Sequence, residues 1–274
     1  MRSSRLHSFV GQPVSSVETP CLILNLDAFD ANNKTMRVLC DSKQVRWRAH
    51  AKAHKSTFLA HQQILAGACG ILVQKLGEAE VMVENGITDV FLSNEVIDER
   101  KLDRLAKLAS SSHANLSIAV DSDLGLARLA AAFRNNKSSR RIGVLIDVNV
   151  GHNRTGCNLE VAVALAKLAT TTFSDVVDLK GVHCYHGSIQ HERSHVDRAK
   201  SAILVSEKAK QARDAIIQAV GSCRVVTGGG TGTLEMDLEQ GVFTEVQPGS
   251  YAFMVIHSYC ILLFFITCRI LIMG

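Results

Sequence analysis

From Val45 onward the chain alternates between strand-like and helix-like segments, and this alternation constrains the fold more than any other feature. The strand candidates are apolar almost throughout, as in the run 143–148, which is typical of strands covered on both faces. The helical candidates repeat apolar residues at helical spacing, as at Leu102, Leu105 and Leu108. The predicted strands are 45–52, 71–75, 89–94, 115–121, 142–150, 178–185, 224–227 and 243–246. The predicted helices between them are 56–66, 78–85, 98–110, 124–135, 159–170, 193–220 and 234–240.

Successive βα units with short connections predict an α/β fold, a closed (β/α)8 barrel of parallel strands. A doubly wound open sheet is the alternative for the same order of elements. In a barrel, ligands bind at the carboxyl ends of the strands. We therefore expect the polar residues at those ends to converge on one mouth. They are Lys52, Asn94, Asp121, Arg154, His183, Tyr185, His186 and the glycines 228–230.

The first predicted barrel strand carries the residue that we expect to react. Side chains alternate between the two faces of a strand, so its cationic and ionisable residues share one face. They are Arg46, Arg48, His50 and Lys52. Positive neighbours disfavour the ammonium form of a lysine, and its amine is then a better nucleophile. Lys52 is thus a candidate Schiff-base lysine, although the same residues also fit a solvated basic turn.

A glycine-rich segment follows the seventh predicted strand, where residues 227–233 read Thr-Gly-Gly-Gly-Thr-Gly-Thr. Glycines let backbone N–H groups approach a phosphate, and the N-terminus of the following helix adds a positive dipole end. Phosphates in such barrels bind at the loops after strands seven and eight, so the segment 247–251 is expected to close the other side of the site. The segment is not a Walker loop, and a flexible βα connection is the alternative.

Two further segments place polar side chains at strand ends. His183, Tyr185 and Gln190 lie in or after the sixth strand, where they can hydrogen-bond a heteroaromatic ring or a substrate. The density of His and Cys there also suggests a metal, but the spacing matches no closed zinc pattern. Arg154 follows the fifth strand and is suited to a carboxylate or phenolate oxygen. A surface arginine in a glycine-rich turn fits the sequence equally well.

Composition narrows the class of protein. The chain has 274 residues, of which 47% are hydrophobic and 20% charged, the balance of an ordinary globular protein. Its net charge of +4 is spread along the sequence without a basic tract, so we expect no nucleic-acid partner. The eight cysteines form no CxxC pair, which predicts reduced, mostly buried thiols. No apolar segment follows Arg2 and Arg5, so we expect no secretory signal and a cytoplasmic protein.

Six motifs, in chain order, resemble those of a single family: 19–21, 48–55, 74–80, 185–188, 228–233 and 247–251. The family is that of the fold type III pyridoxal-phosphate enzymes, which share the alanine racemase N-terminal domain. Within it, the chain looks most like the D-serine dehydratases, D-threonine aldolases and D-threo-3-hydroxyaspartate dehydratases. The resemblance runs from about residue 19 to residue 254.

The resemblance implies pyridoxal 5′-phosphate bound as a Schiff base to Lys52, the catalytic residue. It implies a lyase that acts on D-3-hydroxy amino acids, in which the cofactor stabilises a carbanion at Cα and the released Lys52 is the base. It also implies a small D-amino acid substrate, a homodimer for full-length members, and zinc or another divalent metal that helps the β-hydroxyl leave in the dehydratases. The implied cofactor-binding residues are Lys52, Arg154, His183, Tyr185, Gln190, Gly229, Gly230, Thr231, Gly249, Ser250 and Tyr251.

The chain departs from the family pattern after Phe253. We expect residues 1–18 to form an N-terminal extension, 19–253 the cofactor-binding barrel, and 254–274 an apolar tail with no counterpart in the family. Family members continue with a β-rich domain that carries a His-x-Cys or His-x-Asp metal pair, so we expect the metal ligands to be absent here. The tail fits a membrane anchor, a packed helix or strand, or out-of-family sequence from a retained intron or a faulty gene model. His257 and Arg269 argue against the anchor, and the abrupt change in composition favours the third alternative.

Two expectations follow from this departure. The strand 21–24, which precedes a helix at 26–42, has no place in an eight-stranded barrel and is left without a sheet. The chain is also expected to have reduced lyase activity or none. A non-catalytic barrel that binds pyridoxal phosphate, of the homeostasis type, is the alternative function.

Overall fold

The computed structural model describes residues 9–253 and the backbone of 271–273. Parallel strands form one sheet, in the order β2-β10-β9-β8-β7-β6-β5-β4-β3. In chain order the strands are β1 (Cys21–Ile23), β2 (Arg46–Trp47), β3 (Ala49–His50), β4 (Ile71–Val73), β5 (Asp89–Leu92), β6 (Asn115–Val120), β7 (Ile142–Asp147), β8 (Val177–Cys184), β9 (Val225–Gly228), β10 (Glu245–Val246) and β11 (Leu271–Met273).

The sheet closes because β2 and β3 are two parts of one strand, separated only by Arg48. The first part pairs with β10 and the second part pairs with β4, both in parallel. A single strand thus joins the two ends of the sheet. The predicted (β/α)8 barrel is therefore confirmed, and the open sheet is excluded.

Helices cover the outside of the barrel, within one or two residues of the predicted bounds. They are α1 (Leu26–Ser42), α2 (Thr57–Leu65), α3 (Leu76–Glu84), α4 (Glu99–Ser111), α5 (Asp123–Asn135), α6 (Leu159–Thr170), α7 (His195–Val220) and α8 (Leu234–Gln240). Most begin where a short polar side chain accepts a hydrogen bond from the backbone N–H three residues on, which satisfies a donor that the first turn leaves unpaired. These capping residues are Asn25, Ser56, Asp98, Ser122, Asn158 and Ser194.

Two apolar layers hold the barrel together. One face of each strand packs against the helices in the main core. The alternate residues form a separate buried cluster that fills the barrel interior, made of Leu72, Phe91, Ala119 and Leu145. A filled interior makes this barrel a packed core rather than a pore.

The amino ends of the strands form a charged floor. Arg48 is buried there and donates to Glu245 through Nε, at 2.9 Å, and through Nη1 to Asp89, at 2.5 Å. A cavity of about 520 Å³ opens beside them, lined by residues that include Arg46 and Lys180. The cationic face predicted for the first strand is therefore divided, since its two arginines lie at the floor and only the residues after them approach the mouth.

The segments outside the barrel are partly described. The expectation that the strand 21–24 lacks a sheet is wrong, because β1 pairs antiparallel with β11 outside the barrel. The rest of the predicted tail, 254–270 and Gly274, lies outside the described residues, as do residues 1–8 of the predicted extension. The division into segments at residues 18 and 253 stays a prediction. In the described part of the chain, no helix has the length and apolar character needed to cross a membrane.

The described cysteines are all free thiols, as the sequence predicts. Cys40, Cys157 and Cys184 are buried, and the others are partly exposed. Burial raises the pKa of Cys157 to about 12, with smaller contributions from nearby carboxylates, so this thiol is unreactive at neutral pH.

Candidate active site

Lys52 lies at the carboxyl end of the first barrel strand, although not in the strand itself. The strand ends at His50, and Lys52 occupies a 3-10 turn, Ala51–Ala53. The ring of His50 points inward, where its Nδ1 lies 3.1 Å from the carbonyl oxygen of Leu72. The turn therefore places the Lys52 amine at the mouth of the barrel.

Tyr185 lies beneath that amine. The Nζ of Lys52 is 5.7 Å from the centre of the Tyr185 ring, and the guanidinium of Arg154 is 5.8 Å from the same centre. Burial, and then the charge of Arg154, hold the pKa of Lys52 below its ordinary value. The unprotonated amine, which is the nucleophilic form, is therefore favoured at this position.

The loop after β10 contacts the strand that leads to Lys52. The N–H of His50 donates to the carbonyl of Pro248 at 3.0 Å. A side chain at Gly249 would lie 3.1 Å from Cβ of His50, so the two backbones approach closely. The amine and the loop expected to hold a phosphate are thus neighbours at one end of the barrel.

Three backbone N–H groups are available to an anion at this end. Those of Thr231, Gly249 and Ser250 donate no hydrogen bond within the described part of the chain. The hydroxyl of Thr231 accepts from the N–H of Tyr251 at 3.1 Å, which leaves its own proton to donate. This donor set, drawn from the loops after β9 and β10, suits a phosphate monoester.

Gln190 lies behind the glycine loop. Its Oε1 accepts from the N–H groups of Gly232, at 2.9 Å, and Thr233, at 3.2 Å. Its Nε2 donates to the hydroxyl of Thr233 at 2.8 Å. All of these contacts are with the loop, so the structure gives Gln190 the position of a brace, whereas the resemblance implies contact with the cofactor.

Packing within the protein explains two glycines of the loop. Gly229 has a left-handed conformation, with φ of 63°, and a side chain there would contact Asp237. A side chain at Gly230 would lie 2.6 Å from Oε1 of Gln190. Close packing of the loop on its own supports therefore explains both glycines before any ligand is considered.

The side chain of Tyr251 points away from the mouth, into the core. Its hydroxyl donates to Oδ1 of Asn33 at 2.8 Å and accepts from Nε2 of Gln63 at 2.9 Å. Its ring meets the ring of Trp47 edge-on, with centres 5.6 Å apart. Its backbone N–H bonds to the hydroxyl of Thr231 in the loop.

His183 is buried below Tyr185 in a line of hydrogen bonds. Its Nδ1 lies 2.6 Å from Oδ1 of Asp147, and its Nε2 lies 3.2 Å from Oε1 of Gln247. Gln247 in turn donates from Nε2 to the hydroxyl of Thr227 at 3.0 Å. Burial alone would lower the pKa of His183, but the charge of Asp147 and its hydrogen bond outweigh burial and raise the pKa.

Glu95 shares this site, and sequence reasoning missed both it and Asp147. Burial, together with hydrogen bonding to Asp147 and that residue's charge, raises the pKa of Glu95 to about 8. Of these two carboxyl groups, Glu95 is therefore the one whose protonated form is favoured, and Asp147 is the one whose anion is favoured. The available signal was positional, because Asp147 is the last residue of β7 and Glu95 closely follows β5.

The other polar residues expected at the mouth lie around its rim. The rings of His152 and His186 stack with centres 5.3 Å apart. Asp121 accepts a hydrogen bond from the N–H of Gly156 at 3.2 Å. Across residues 9–253, no group of three or more His, Cys, Asp and Glu side chains is arranged to hold a metal ion.

The residues present fit a phosphate-bearing aldehyde cofactor. A lysine with a lowered pKa, a half-buried phenol ring and an unsatisfied set of anion donors lie at one mouth. Aldehyde chemistry needs the amine, and a phosphate needs the donors.

Comparison with known proteins identifies the family. The family model described as alanine racemase, N-terminal domain, matches residues 24–257. A D-threonine aldolase of Arthrobacter sp is 39% identical over 248 residues, which are 89% of this chain and 63% of the aldolase. A 3-hydroxy-D-aspartate aldolase of Paracoccus denitrificans (strain Pd 1222) is 35% identical over 246 residues, 89% of this chain and 62% of the aldolase.

The similar solved structures include enzymes of the same kind as these relatives. The crystal structure of D-threonine aldolase from Filomicrobium marinum superimposes with a TM-score of 0.86 at 39% identity, covering 90% of this chain and 66% of that chain. The D-threo-3-hydroxyaspartate dehydratase from Delftia sp. HT23 gives a TM-score of 0.76 at 28% identity, with coverages of 87% and 62%. The chain spans less than two thirds of the length of these relatives. It belongs to the alanine racemase N-terminal domain family of fold type III pyridoxal-phosphate enzymes.

Proposed function

We propose that this chain binds pyridoxal 5′-phosphate as a Schiff base on Lys52 and is a lyase for D-3-hydroxy amino acids. The observation that carries the proposal is the neighbourhood of the Lys52 amine and the anion donors of Gly249 and Ser250, which are joined through His50. The reaction names of the similar proteins support the substrate class, because D-threonine and 3-hydroxy-D-aspartate are both D-3-hydroxy amino acids.

Each residue of the mouth then has a role. When bound, the cofactor supplies an electron sink for a carbanion at Cα of the substrate. The N–H groups of Thr231, Gly249 and Ser250 would hold the phosphate, and the Tyr185 ring would support the heteroaromatic ring. Arg154 lies where its charge stabilises an oxygen anion near the amine.

Lys52 has two tasks in this proposal. Its Nζ would hold the cofactor, and as a free amine it would accept the proton from Cα of the substrate. The lowered pKa of Lys52 suits both, because a nucleophile and a base each need the unprotonated amine. A lysine with an ordinary pKa would be protonated at neutral pH and would therefore be slower in both tasks.

The finer parts of the function stay predictions. They include dehydration, retro-aldol cleavage or racemisation as the reaction, reduced activity of this chain, a homodimer, no nucleic-acid or membrane partner, and a cytoplasmic location.

A non-catalytic cofactor-binding barrel is the second candidate. It is favoured by one observation: the amine, the phenol ring and the anion donors all lie within residues 9–253. Cofactor binding therefore uses only the barrel. Cofactor binding without turnover of D-serine, D-threonine or D-3-hydroxyaspartate would favour this second candidate over the lyase.

Spectroscopy of the purified chain with added pyridoxal 5′-phosphate tests the shared part of both candidates. We expect a visible absorbance band from the lysine-bound cofactor, and borohydride reduction should fix the label to the peptide that contains Lys52. Lys52→Ala should abolish both signals. Lys55→Ala is the matched control, since Lys55 pairs with Glu78 at 3.3 Å on the rim and should leave them intact. A band that persists in Lys52→Ala, or no band in the parent, would refute the proposal.

A further inference from the structure

A buried carboxyl group lies directly behind the glycine loop. Asp237, on α8, has only 1% of its surface exposed. One of its oxygens, Oδ2, accepts from the hydroxyl of Thr233 at 2.5 Å, and the N–H of Gly230 also donates to this carboxyl group. The other oxygen, Oδ1, is buried and has no hydrogen-bond partner in the described part of the chain. The carboxyl group is thus half satisfied.

No positive charge compensates this carboxyl group among the described residues. The groups that influence its titration are the two hydrogen-bond donors, Thr233 and Gly230, and neither is charged. From the neighbouring strand end, the titratable group that interacts with it is Tyr185, whose phenol is neutral at physiological pH. Burial raises the pKa of Asp237 to about 7, against the smaller opposing effect of the hydrogen bonds.

The loop backbone is all that separates Asp237 from the anion donors. A side chain at Gly229 would contact Oδ2 of Asp237, and Gly230 donates to the same carboxyl group. The next residue, Thr231, has a backbone N–H without a partner in the described part of the chain and a hydroxyl proton that is free to donate. An anion in the loop and a charge on Asp237 therefore repel each other across a single layer of buried backbone, where screening is weak.

We propose that Asp237 takes up a proton when a phosphate monoester binds in the glycine loop, so that the anion binds more tightly to the protonated protein. The proposal rests on the proposed function in one respect, since it takes the loop to be the phosphate site. Reciprocity follows from linkage: an anion that favours the neutral acid must itself bind more tightly once the acid is neutral. Asp237 thereby sets how the affinity of the site depends on pH.

If Asp237 only supported the glycine loop, it would not need to be an ionisable acid. Thr233 and Gly230 donate to Asp237, and the carbonyl oxygen of an asparagine accepts such bonds equally well. The variant Asp237→Asn therefore keeps the acceptor and the shape and removes only the ionisable proton. It separates the electrostatic role from the structural one.

The test is calorimetric titration with inorganic phosphate and with pyridoxine 5′-phosphate, which has the phosphate but no aldehyde. Measured from about pH 6 to about pH 9 in buffers of different ionisation heat, the parent should take up close to one proton per ligand at the upper end. Its affinity should fall by up to about tenfold per pH unit above about pH 7. Asp237→Asn should bind as the parent does at about pH 6 and more tightly at about pH 8.5, without this proton uptake.

The ligand's own ionisation does not confuse the result. The ligand's own ionisations, including that of the phosphate monoester near pH 6, are the same for both proteins, so they cancel in their difference. If the variant does not fold, the parent alone still tests the proposal, because zero proton uptake would overturn it. Zero uptake by the parent, or the same pH profile in both proteins, overturns the proposal, as does weaker binding of Asp237→Asn at every pH.

Failure here is distinguishable from failure of the proposed function. A Lys52-dependent absorbance band with no proton uptake refutes the role of Asp237 and leaves the cofactor proposal intact. Phosphate binding with proton uptake but no Lys52-dependent band supports the role of Asp237 and refutes the cofactor proposal. If neither ligand binds at any pH, the anion site is refuted and both proposals fall.

Discussion

Nδ1 of His183 lies 2.6 Å from Oδ1 of Asp147, in a pair whose side chains are at most 6% exposed. The other ring nitrogen, Nε2, faces Oε1 of Gln247 at 3.2 Å. Asp147 accepts a hydrogen bond and Gln247 presents its amide oxygen, so the arrangement favours a ring that donates from both nitrogens. It therefore favours a buried imidazolium below the mouth of the barrel, neutralised by Asp147.

Asp147→Asn should leave the imidazolium without its counter-charge. We expect the pKa of His183 to fall, and we expect a loss of about 3–5 kcal/mol in the free energy of unfolding, typical when one partner of a buried pair is removed.

The effect of this variant depends on pH. The folded pKa of His183 is raised, so its stabilisation is complete below its unfolded pKa and is lost as pH rises through the folded pKa. The folded pKa of Asp147 is lowered, so its contribution is complete above its unfolded value and is lost as pH falls through the folded one. The difference between variant and parent should thus be largest between about pH 4 and 6.5 and smaller at higher pH.

Urea unfolding at several pH values, with nitrogen NMR of the His183 ring, measures both effects. Thr155→Val is the matched control, because it removes a 2.9 Å hydrogen bond to Oδ2 of Asp147 and leaves the negative charge in place. His183 should remain doubly protonated in that variant. An unchanged titration of His183 in Asp147→Asn would contradict the assignment.

Arg154→Gln should make the Lys52 amine less reactive at neutral pH. The charge of Arg154, after burial, holds the pKa of Lys52 down, and its removal lets that pKa rise. The pH at which Lys52 reacts half-maximally with an amine-selective reagent should therefore move upward. Labelling across a pH series, read by mass spectrometry of the Lys52 peptide, measures the shift. Arg100→Gln, at a fully exposed site on α4, is the control and should leave the midpoint where it was. A downward shift in Arg154→Gln would refute the electrostatic link.

Tyr251→Phe should destabilise the protein without weakening cofactor binding. The hydroxyl bridges Asn33 and Gln63 in the core, so its removal leaves buried polar groups unpaired, at about 1–3 kcal/mol. The ring and the backbone N–H that reaches Thr231 are kept. Chemical denaturation should show the loss, while the affinity for pyridoxal 5′-phosphate stays within about twofold. A large loss of affinity with unchanged stability would place the hydroxyl at the mouth instead.

The fold follows closely from the sequence. Periodicity and apolar runs locate the strands and helices, because residues that face helices on one side and a packed interior on the other must be apolar on both. The pattern places Lys52 on a strand, however, and the chain turns after His50. At this point the N–H of His50 donates to the carbonyl of Pro248, a residue almost two hundred positions away, and no local pattern reports such a contact.

The site was only partly predictable for the same reason. Lys52, Arg154 and Tyr185 come together as strand ends in a barrel should. Local sequence does not reveal which partners a side chain finds, and the structure bonds Gln190 to the glycine loop and Tyr251 to the core, so their contact with the cofactor stays a prediction. Asp147 and Asp237 act through buried neighbours, and burial of an acid becomes visible only in three dimensions.

Gly230→Ala tests the supporting role of Gln190 directly. The backbone of Gly230 is extended, with φ of −164°, so alanine is allowed by conformation and the obstacle is steric. Its methyl group would lie 2.6 Å from Oε1 of Gln190, which is held by Gly232 and Thr233. We expect a loss of about 1–3 kcal/mol in the free energy of unfolding and weaker phosphate binding, because the donors of the loop are displaced.

A double-mutant cycle isolates the contact. Gln190→Ala alone should also destabilise, since it leaves loop N–H groups without an acceptor, but it removes the atom that opposes the new methyl group. Gly230→Ala should therefore be milder in the Gln190→Ala background, with a coupling of about 0.5–3 kcal/mol. Gly77→Ala is the control for glycine replacement as such: it lies in α3 with its nearest neighbour 4.0 Å away and should stabilise by about 0.5–1 kcal/mol. Strictly additive effects of Gly230→Ala and Gln190→Ala would mean that the carboxamide does not shape the loop, and the loop's glycines would then need another cause, such as close approach of the phosphate itself.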